Sequence, residues 1–166
     1  KGIVVMNTPY GNSITTAEHT LSLMMSLARY IPQADNSTRQ GKWEKSKFMG
    51  SELFGKTLGM IGCGNIGSLV AERCLGLKMK VMVYDPFLSE EQVTKIGGKK
   101  VDIEVLLTSA DFITLHTPLT DETKGILDKK NMLKCQKGVR IINCARGGLV
   151  VEKDLAQLLE AGHVAG

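Results

Sequence analysis

Three glycines, Gly62, Gly64 and Gly67, form a G-x-G-x-x-G pattern between an apolar run and an amphipathic run. The apolar run at 56–61 (KTLGMI) predicts a strand, and 65–75, with its apolar residues near one face, predicts a helix. Glycines at these spacings let a strand turn tightly and let the following helix pack closely against it. The pattern therefore predicts a strand–turn–helix unit, which is typical of a parallel sheet.

Strand-like and helix-like runs continue to alternate after this unit, with turn residues at each junction. Further strands are predicted at 80–84, 100–101, 111–115 and 139–143. Further helices are predicted after Ser89 (paired with Gln92 in a capping box and ended by Gly97–Gly98), at 103–107, after Asp128 and at 152–161. This alternation predicts an α/β fold with a doubly wound parallel sheet, the three-layer αβα arrangement of the Rossmann fold.

The first fifty residues follow a different pattern. Thr15 and Glu18 predict a capping box, followed by a helix over 16–30. Apolar residues cover most of the circumference of this helix, so we expect it to be buried on several sides, between domains or in a subunit interface. Residues 33–51, which include Trp43, are polar and are predicted to form an irregular, exposed arm.

The glycine turn has the chemistry of a dinucleotide site. Gly64 allows the backbone to approach a pyrophosphate, and the helix N-terminus offers free N–H groups and a positive dipole end. Asp85 follows the second strand, where a carboxylate can accept hydrogen bonds from ribose hydroxyls and repel a 2′-phosphate. These residues predict NAD, in preference to NADP. The alternatives are a purely structural glycine turn and an aspartate that only begins the Asp85-Pro86 turn.

His116-Thr117-Pro118 follows the fourth strand, at the carboxyl edge of the sheet where cofactors lie in such folds. Pro118 ends the strand, and Thr117 is expected to present its hydroxyl to the crevice. For His116 we expect a packing role and not that of a catalytic base.

Asn143–Gly148 (NCARGG) follows the fifth strand at the same edge. The planar guanidinium of Arg146 can bind a carboxylate through two parallel hydrogen bonds, which a hydride-transfer enzyme acting on a 2-hydroxy acid needs. Its charge also favours a polarised carbonyl. The alternative for Arg146 is a surface salt bridge. For Cys144 we expect loop packing and not nucleophilic chemistry, because no histidine is near it in sequence.

Composition argues against several classes of function. The formal net charge is +4, with 21 basic and 17 acidic residues that are scattered, so we expect a solvated surface and no nucleic-acid partner. No apolar run approaches the roughly 20 residues that span a bilayer, and no signal peptide is visible, so we expect no membrane association. None of the four cysteines is paired at a two-residue spacing, so no metal site is expected. Their usage fits a reducing, cytoplasmic compartment.

Taken together, these residues resemble the D-isomer-specific 2-hydroxyacid dehydrogenase family over essentially the whole chain. Further matching signals are Gly11-Asn12, Ala17-Glu18 and the phrase GKTLG at 55–59. Within the family, the chain is most similar to the animal members that oxidise D-3-phosphoglycerate. That similarity rests on three strings, GKWE at 41–44, KFMG at 47–50 and CARGG at 144–148.

The motifs and the resemblance together imply an NAD site made by Gly62, Gly64, Asn65, Ile66, Gly67, Asp85, Thr117, Pro118, Cys144, Ala145 and Arg146. Arg146 also matches a catalytic, substrate-binding arginine, and Asn12 matches an asparagine close to the substrate. Asn65 stands where the animal relatives carry arginine. Its neutral side chain removes a positive charge beside the pyrophosphate and is expected to weaken NAD binding.

The resemblance also implies a domain division. Residues 1–12 correspond to the end of a substrate domain, with its last strand at 3–7, and residues 13–166 to an NAD-binding domain truncated at its C-terminus. The family's general acid/base histidine and its orienting glutamate correspond to positions beyond Gly166. The 166 residues alone are therefore expected to bind NAD weakly or moderately and to turn over poorly.

The activity implied for the longer enzyme is NAD-dependent oxidation of D-3-phosphoglycerate to 3-phosphohydroxypyruvate, the entry to serine biosynthesis. The apolar helix and the Trp43 arm suggest a homodimer or homotetramer. Two alternatives stay open, a glyoxylate/hydroxypyruvate reductase and an NADH-responsive corepressor of the C-terminal-binding-protein type. The strings at 47–50 and 144–148 favour the dehydrogenase.

Overall fold

The computed structural model describes residues 2–8 and 10–166. Its elements, in chain order, are α1 (Ser13–Arg29), α2 (Ile31–Arg39), a 3-10 helix (Lys45–Phe48), β1 (Thr57–Ile61), α3 (Asn65–Gly76), β2 (Lys80–Tyr84), α4 (Glu90–Lys95), β3 (Lys99–Lys100), α5 (Ile103–Ser109), β4 (Phe112–Leu115), α6 (Lys129–Lys134), β5 (Arg140–Asn143) and α7 (Glu152–Glu160). None of the helices in these ranges is long and apolar enough to cross a lipid bilayer.

All five strands pair in parallel, in the order β3-β2-β1-β4-β5. The chain leaves the central strand β1 towards one edge through β2 and β3, then returns to the other side of β1 for β4 and β5. Connections on the two sides of β1 therefore diverge, and a crevice opens where β1 and β4 end. The doubly wound parallel sheet predicted from the alternation is confirmed.

Two apolar cores, one on each face of the sheet, make the three layers. Successive residues of a strand point to opposite faces, so Met60 joins one core and Ile61 the other. The first core receives Met24 of α1 and Val70 of α3. The second receives Leu106 of α5, together with residues of α6 and α7. Burial on both sides explains why these strands read as nearly continuous apolar runs.

Local signals at several helix starts are confirmed. Ser89 and Gln92 form a reciprocal capping box, in which the Gln92 N–H donates to Ser89 Oγ at 3.2 Å and the Ser89 N–H donates to Gln92 Oε1 at 2.8 Å. At α6, the Asn131 N–H donates to Asp128 Oδ1 at 2.8 Å. Such caps satisfy amides that have no partner inside the helix.

The start of α1 differs from the prediction. The sequence predicts a capping box at Thr15 and Glu18, but the helix begins at Ser13 and Asn12 is its N-cap, without a side-chain cap bond. The Thr16 N–H donates to the Asn12 carbonyl at 2.9 Å. Helical hydrogen bonding has therefore begun before the predicted cap, and that cap is wrong.

The arm predicted as irregular over 33–51 is also partly wrong, because α2 occupies Ile31–Arg39. Tyr30 takes a left-handed conformation (φ 54°) that ends α1, and Pro32 in the first turn favours a new helix. Arg39 and Asp35 add an i,i+4 ion pair at 2.7 Å. A polar helix of this kind lacks the apolar stripe by which helices are recognised in sequence. Trp43, which follows it, is 86% exposed as predicted.

Within this chain, α1 is buried along one stripe and not on several sides. The stripe consists of Ser13, Ala17, Thr20, Met24 and Ala28, whereas Leu23 and Met25 on other faces are exposed. The strand predicted at 3–7 is absent as well, since residues 2–8 form no strand and are exposed. A strand exists only beside a second strand that is hydrogen-bonded to it, and no described segment pairs with residues 2–8 in this way.

Candidate functional site

Gly62 begins the turn that joins β1 to α3. Its φ is +84°, a left-handed value that glycine adopts without steric cost. A Cβ at this position would lie 2.9 Å from both the carbonyl carbon and the carbonyl oxygen of His116. The Gly62 N–H donates to the Tyr84 carbonyl at 2.9 Å. The turn is therefore wedged between the ends of β2 and β4, where only a glycine fits.

The other two glycines of the pattern differ in their surroundings. A Cβ at Gly67 would lie 2.8 Å from the carbonyl oxygen of Gly62, so this glycine allows α3 to pack onto the turn. A Cβ at Gly64 would meet no atom within 4 Å. Gly64 is the N-cap of α3, and the first amides of a helix have no partner within it. The open space over these amides fits the diphosphate of a dinucleotide.

Asp85 connects the end of β2 to the glycine turn. It is 8% exposed, and its Oδ2 accepts from the Cys63 N–H at 2.8 Å while its Oδ1 accepts from the Phe87 N–H at 2.9 Å. Each carboxylate oxygen keeps a second lone pair, so these bonds leave acceptor capacity for a ribose hydroxyl. The bond from Phe87 is the local turn that the sequence offered as an alternative role for Asp85, whereas the bond from Cys63 is a structural tie that the sequence did not indicate.

A cavity of about 190 Å³ lies beside the glycine turn, at the crevice where β1 and β4 end. It brings together residues from four separate segments of the chain, namely Asn12, Thr16, Ile66, His116, Thr117, Pro118, Cys144, Ala145 and Arg146. The predicted site residues Gly62, Gly64, Asn65, Gly67 and Asp85 do not line this cavity, and they form the adjoining turn and strand end. Ile66, in the first turn of α3, connects the two parts. Thr16 was missed, because nothing in the sequence indicates which face of α1 meets the crevice.

Arg146 stands at the rim of this cavity on a loop shaped by Asn143. The Asn143 Nδ2 donates to the Arg146 carbonyl at 2.8 Å, and its Oδ1 accepts from the Ala145 N–H at 3.0 Å. The exposed guanidinium donates to the Ala145 carbonyl at 2.8 Å and has no ion pair with any described residue. This geometry disfavours the surface salt bridge and leaves a cation available for a carboxylate. Asn143 is the first residue of the NCARGG string, but the string does not indicate that its side chain shapes the loop.

His116 is half-buried and is one of the residues that line the cavity. Its Nε2 lies 3.0 Å from Oγ1 of Thr114, which is fully buried. Burial lowers the pKa of His116 to about 4 from its ordinary 6.5. A general base at neutral pH needs a pKa near 7, so His116 is poorly suited to that role.

The four cysteines are all free thiols, and three of them are buried. Burial raises the pKa of Cys63 and of Cys135 to about 11 and that of Cys74 to about 12, with the Asp85 carboxylate adding to the effect at Cys63. Cys144 is the partly exposed thiol and lines the cavity. The described residues contain no group of three or more His, Cys, Asp or Glu side chains that could hold a metal ion.

Comparison with known proteins gives a consistent result. Residues 21–166 match the sequence model of the D-isomer specific 2-hydroxyacid dehydrogenase, NAD binding domain. The chain is 53% identical over 165 residues (99% of its length) to a D-3-phosphoglycerate dehydrogenase of Bacillus subtilis, strain 168. It is 50% identical over 166 residues (100%) to the D-3-phosphoglycerate dehydrogenase of Homo sapiens. It spans 31% of the length of each of these relatives.

Among solved structures, the fold is similar to that of an NAD-dependent formate dehydrogenase from Staphylococcus aureus in complex with NAD. The TM-score is 0.87 and the identity 34%, over 93% of this chain and 46% of the other. The bacterial relative is at least as similar as the human one. Overall identity therefore does not favour the animal members over the bacterial one.

Proposed function

This chain belongs to the D-isomer-specific 2-hydroxyacid dehydrogenase family, and we propose that it is the NAD-binding part of an enzyme that oxidises D-3-phosphoglycerate to 3-phosphohydroxypyruvate. The choice of substrate follows the printed names of relatives about 50% identical to the chain. Its place in metabolism would be the entry to serine biosynthesis. The names belong to proteins about three times as long as this chain.

The observation that carries the proposal is the junction of the glycine turn with the cavity. Open space over the α3 N-terminus at Gly64 lies next to the cavity that Ile66 and Arg146 line. A dinucleotide seated with its diphosphate on the α3 amides and its ribose at Asp85 would extend into that cavity. Its binding residues would be Gly62, Gly64, Asn65, Ile66, Gly67, Asp85, Thr117, Pro118, Cys144, Ala145 and Arg146.

The chemistry assigned to this chain is binding and orientation. Bound NAD supplies the hydride acceptor. The unpaired guanidinium of Arg146 would hold the substrate carboxylate and stabilise negative charge near the reacting carbon. Asn12, across the cavity, would hydrogen-bond to the substrate. We place the group that takes the hydroxyl proton outside these 166 residues, because burial holds the pKa of His116 near 4.

The first test is calorimetric titration of the chain with NAD and with NADP. We expect weak to moderate binding of NAD and at least tenfold weaker binding of NADP, because the Asp85 carboxylate would repel the 2′-phosphate. The variant Gly64→Val places a side chain in the space assigned to the diphosphate. Without a ligand, a Cβ at this position contacts no other atom within 4 Å. The variant should abolish binding while lowering the free energy of unfolding by only about 1 kcal/mol, the cost of a poorer N-cap, so that the chain stays folded. Absence of NAD binding to the parent chain would overturn the proposal.

The substrate needs a separate test with the full-length protein. Turnover should be seen with D-3-phosphoglycerate and NAD, and little with glyoxylate or D-lactate. Preference for glyoxylate would support the reductase alternative instead. NADH binding without turnover of any 2-hydroxy acid would support the corepressor alternative. Arg146→Gln in that protein should lower kcat/KM by about a hundredfold or more, since charged bidentate contacts to a carboxylate are strong.

The domain division is part of the proposal. Residues 1–12 would belong to the end of a substrate domain, because the apolar residues Ile3–Met6 are exposed and need a cover. Residues 13–166 would form the NAD-binding domain. Four free thiols suit a reducing, cytoplasmic setting. We propose no nucleic-acid or membrane partner.

We also propose a homodimer, or a homotetramer built from such dimers, through α1 and the Trp43 segment. Trp43 and Met49 are 86% and 80% exposed and line an open groove of about 760 Å³ together with Arg29. Light scattering should give twice the monomer mass, and Trp43→Ala should shift it towards the monomer. Phe87→Ala, which removes a similarly exposed ring that does not line this groove, is the control and should leave the mass unchanged.

A further inference from the structure

The hydroxyl of Thr114 has a single place to donate its proton. Thr114 is fully buried, and the only hydrogen-bond partner of its Oγ1 among the described residues is Nε2 of His116, at 3.0 Å. If the imidazole donated to Oγ1, the hydroxyl hydrogen would be buried without an acceptor, which is costly. The hydroxyl therefore donates, and Nε2 accepts.

This direction decides the tautomer of His116. A neutral imidazole carries one N–H, so an Nε2 that accepts leaves the hydrogen on Nδ1. Nδ1 has no hydrogen-bond partner among the described residues. Every buried side-chain nitrogen or oxygen among those residues has a partner, so Nδ1 is not fully buried and reaches open space. His116 is one of the residues that line the cavity, together with Ile66 and Arg146, and this cavity is the open space beside it.

We propose that His116 is a binding residue for the dinucleotide, to which its Nδ1–H donates a hydrogen bond inside the cavity, and that Thr114 is a positioning residue that sets its tautomer. The acceptor is an oxygen of the ligand, either on the nicotinamide end or on the ADP-ribose part. The inference rests on the proposed function for the identity of the ligand. The tautomer itself follows from the free chain.

Two features suit a neutral donor at this position. Burial keeps the pKa of His116 far below neutrality, so the ring donates without carrying charge. The neighbouring cation of Arg146 already supplies positive charge at the rim. An imidazolium there would repel the guanidinium, whereas a neutral N–H adds a directional hydrogen bond without that repulsion.

The chain contains its own reference for a tautomer measurement. The Nε2 of His163 lies 3.0 Å from the carbonyl oxygen of Met132. A carbonyl can only accept, so His163 must donate from Nε2 and is the opposite tautomer. Nitrogen-15 NMR of the histidine-labelled chain at pH 7.5, without ligand, should show one Nδ1–H and one Nε2–H ring for these two residues. Assignment of the Nε2–H form to His116 would overturn the inference, whether or not NAD binds.

Variants of Thr114 test the positioning role. Thr114→Val removes the hydroxyl at nearly constant volume, so His116 should lose its single tautomer and show a mixture. Thr114→Ser keeps the hydroxyl and should restore the Nδ1–H form. A merely structural Thr114 would alter stability in the valine variant without changing the nitrogen-15 shifts, and that result would reject its positioning role.

Replacing His116 by asparagine or by glutamine distinguishes the roles of its two ring nitrogens. The amide of asparagine is two bonds from Cβ, as Nδ1 is, and that of glutamine is three bonds away, as Nε2 is. His116→Asn therefore keeps a donor towards the cavity, and His116→Gln keeps only the contact with Thr114. Calorimetry should give NAD affinity within about twofold of the parent for asparagine and about five- to tenfold weaker for glutamine, the effect of one lost hydrogen bond.

ADP-ribose identifies the part of the ligand that accepts. If His116→Gln loses affinity for NAD but not for ADP-ribose, the acceptor is on the nicotinamide end. If it loses affinity equally for NAD and ADP-ribose, the acceptor is on the ADP-ribose part. Unchanged affinity for both would reject the donor role even though the parent chain binds NAD. Failure of the parent chain to bind NAD is a different result and would reject the proposed function instead.

Discussion

The α-carbon of Gly62 faces the peptide of His116 so closely that a methyl group would lie 2.9 Å from its carbonyl carbon and oxygen. This contact joins the first and the fourth strands at their carboxyl ends. The first glycine of the pattern therefore does more than allow a tight turn. It lets two parts of the site that are 54 residues apart in sequence share one crevice.

This contact predicts different outcomes for two glycine variants. Gly62→Ala should lower the free energy of unfolding by about 2–4 kcal/mol, because it combines a left-handed φ with overlap against rigid backbone. Gly64→Ala should lower it by no more than about 1 kcal/mol, the cost of a poorer N-cap, because its Cβ meets nothing within 4 Å. Urea denaturation measures both. Equal destabilisation of the two variants would contradict the geometry.

Asp85→Ala should reduce both the preference for NAD over NADP and the free energy of unfolding. Loss of the carboxylate removes the repulsion of a 2′-phosphate, so the NAD-to-NADP affinity ratio should fall by about tenfold. It also leaves the buried Cys63 N–H without an acceptor, which should cost about 1–3 kcal/mol of unfolding free energy. Calorimetry with both dinucleotides and urea denaturation separate the two effects. An unchanged affinity ratio would show that Asp85 acts only as a structural tie.

Stability should fall below pH 6.5 because of His116. Its pKa is lowered to about 4, so the unfolded chain takes up a proton between pH 6.5 and 4 that the native chain does not. The stability that this residue contributes is present above pH 6.5 and is lost as the pH falls through that window, by about 2 kcal/mol at pH 5. His116→Asn cannot titrate there, so its loss between pH 7.5 and 5 should be smaller by that amount. Parallel slopes for parent and variant would argue against a buried neutral ring.

Thiol labelling should distinguish Cys144 from the other cysteines. Cys63, Cys74 and Cys135 are at most 4% exposed, and burial raises the pKa of each thiol. The thiolate is the reactive form, so a maleimide should label one cysteine in the native chain and four in urea. Saturating NAD should slow the native reaction. Mass spectrometry of the labelled peptide identifies the site, and labelling of Cys63 first would contradict the structure.

Asn65→Arg should strengthen NAD binding by about two- to fivefold at low salt. Asn65 is exposed at the first position of α3, where a cation would lie beside the proposed diphosphate. Because the site is open to solvent, the gain should disappear near 1 M salt, where the Debye length is about 3 Å. Calorimetry at two salt concentrations checks it. A gain that persists at high salt would point to contacts other than charge.

Much of the fold could be predicted because local patterns and global architecture agree. The strands around the glycine turn are short apolar runs, and the capping box at Ser89 is complete within four residues. The elements that were missed lack such signals. The polar helix α2 has no apolar stripe, and Asn12 at the start of α1 makes no side-chain cap bond that the sequence could have indicated.

The sequence by itself determined the chemistry of the site, because the residue types at Gly64, Asp85 and Arg146 and their places after strands limit what each can bind. Only the tertiary structure decided which of them meet. It turned one face of α1 towards the crevice and placed Thr16 in it, and it used both Asp85 oxygens as backbone acceptors. It also buried Thr114 against His116. Contacts of this kind depend on the distances between strands and helices that are remote in sequence, and no local pattern encodes them.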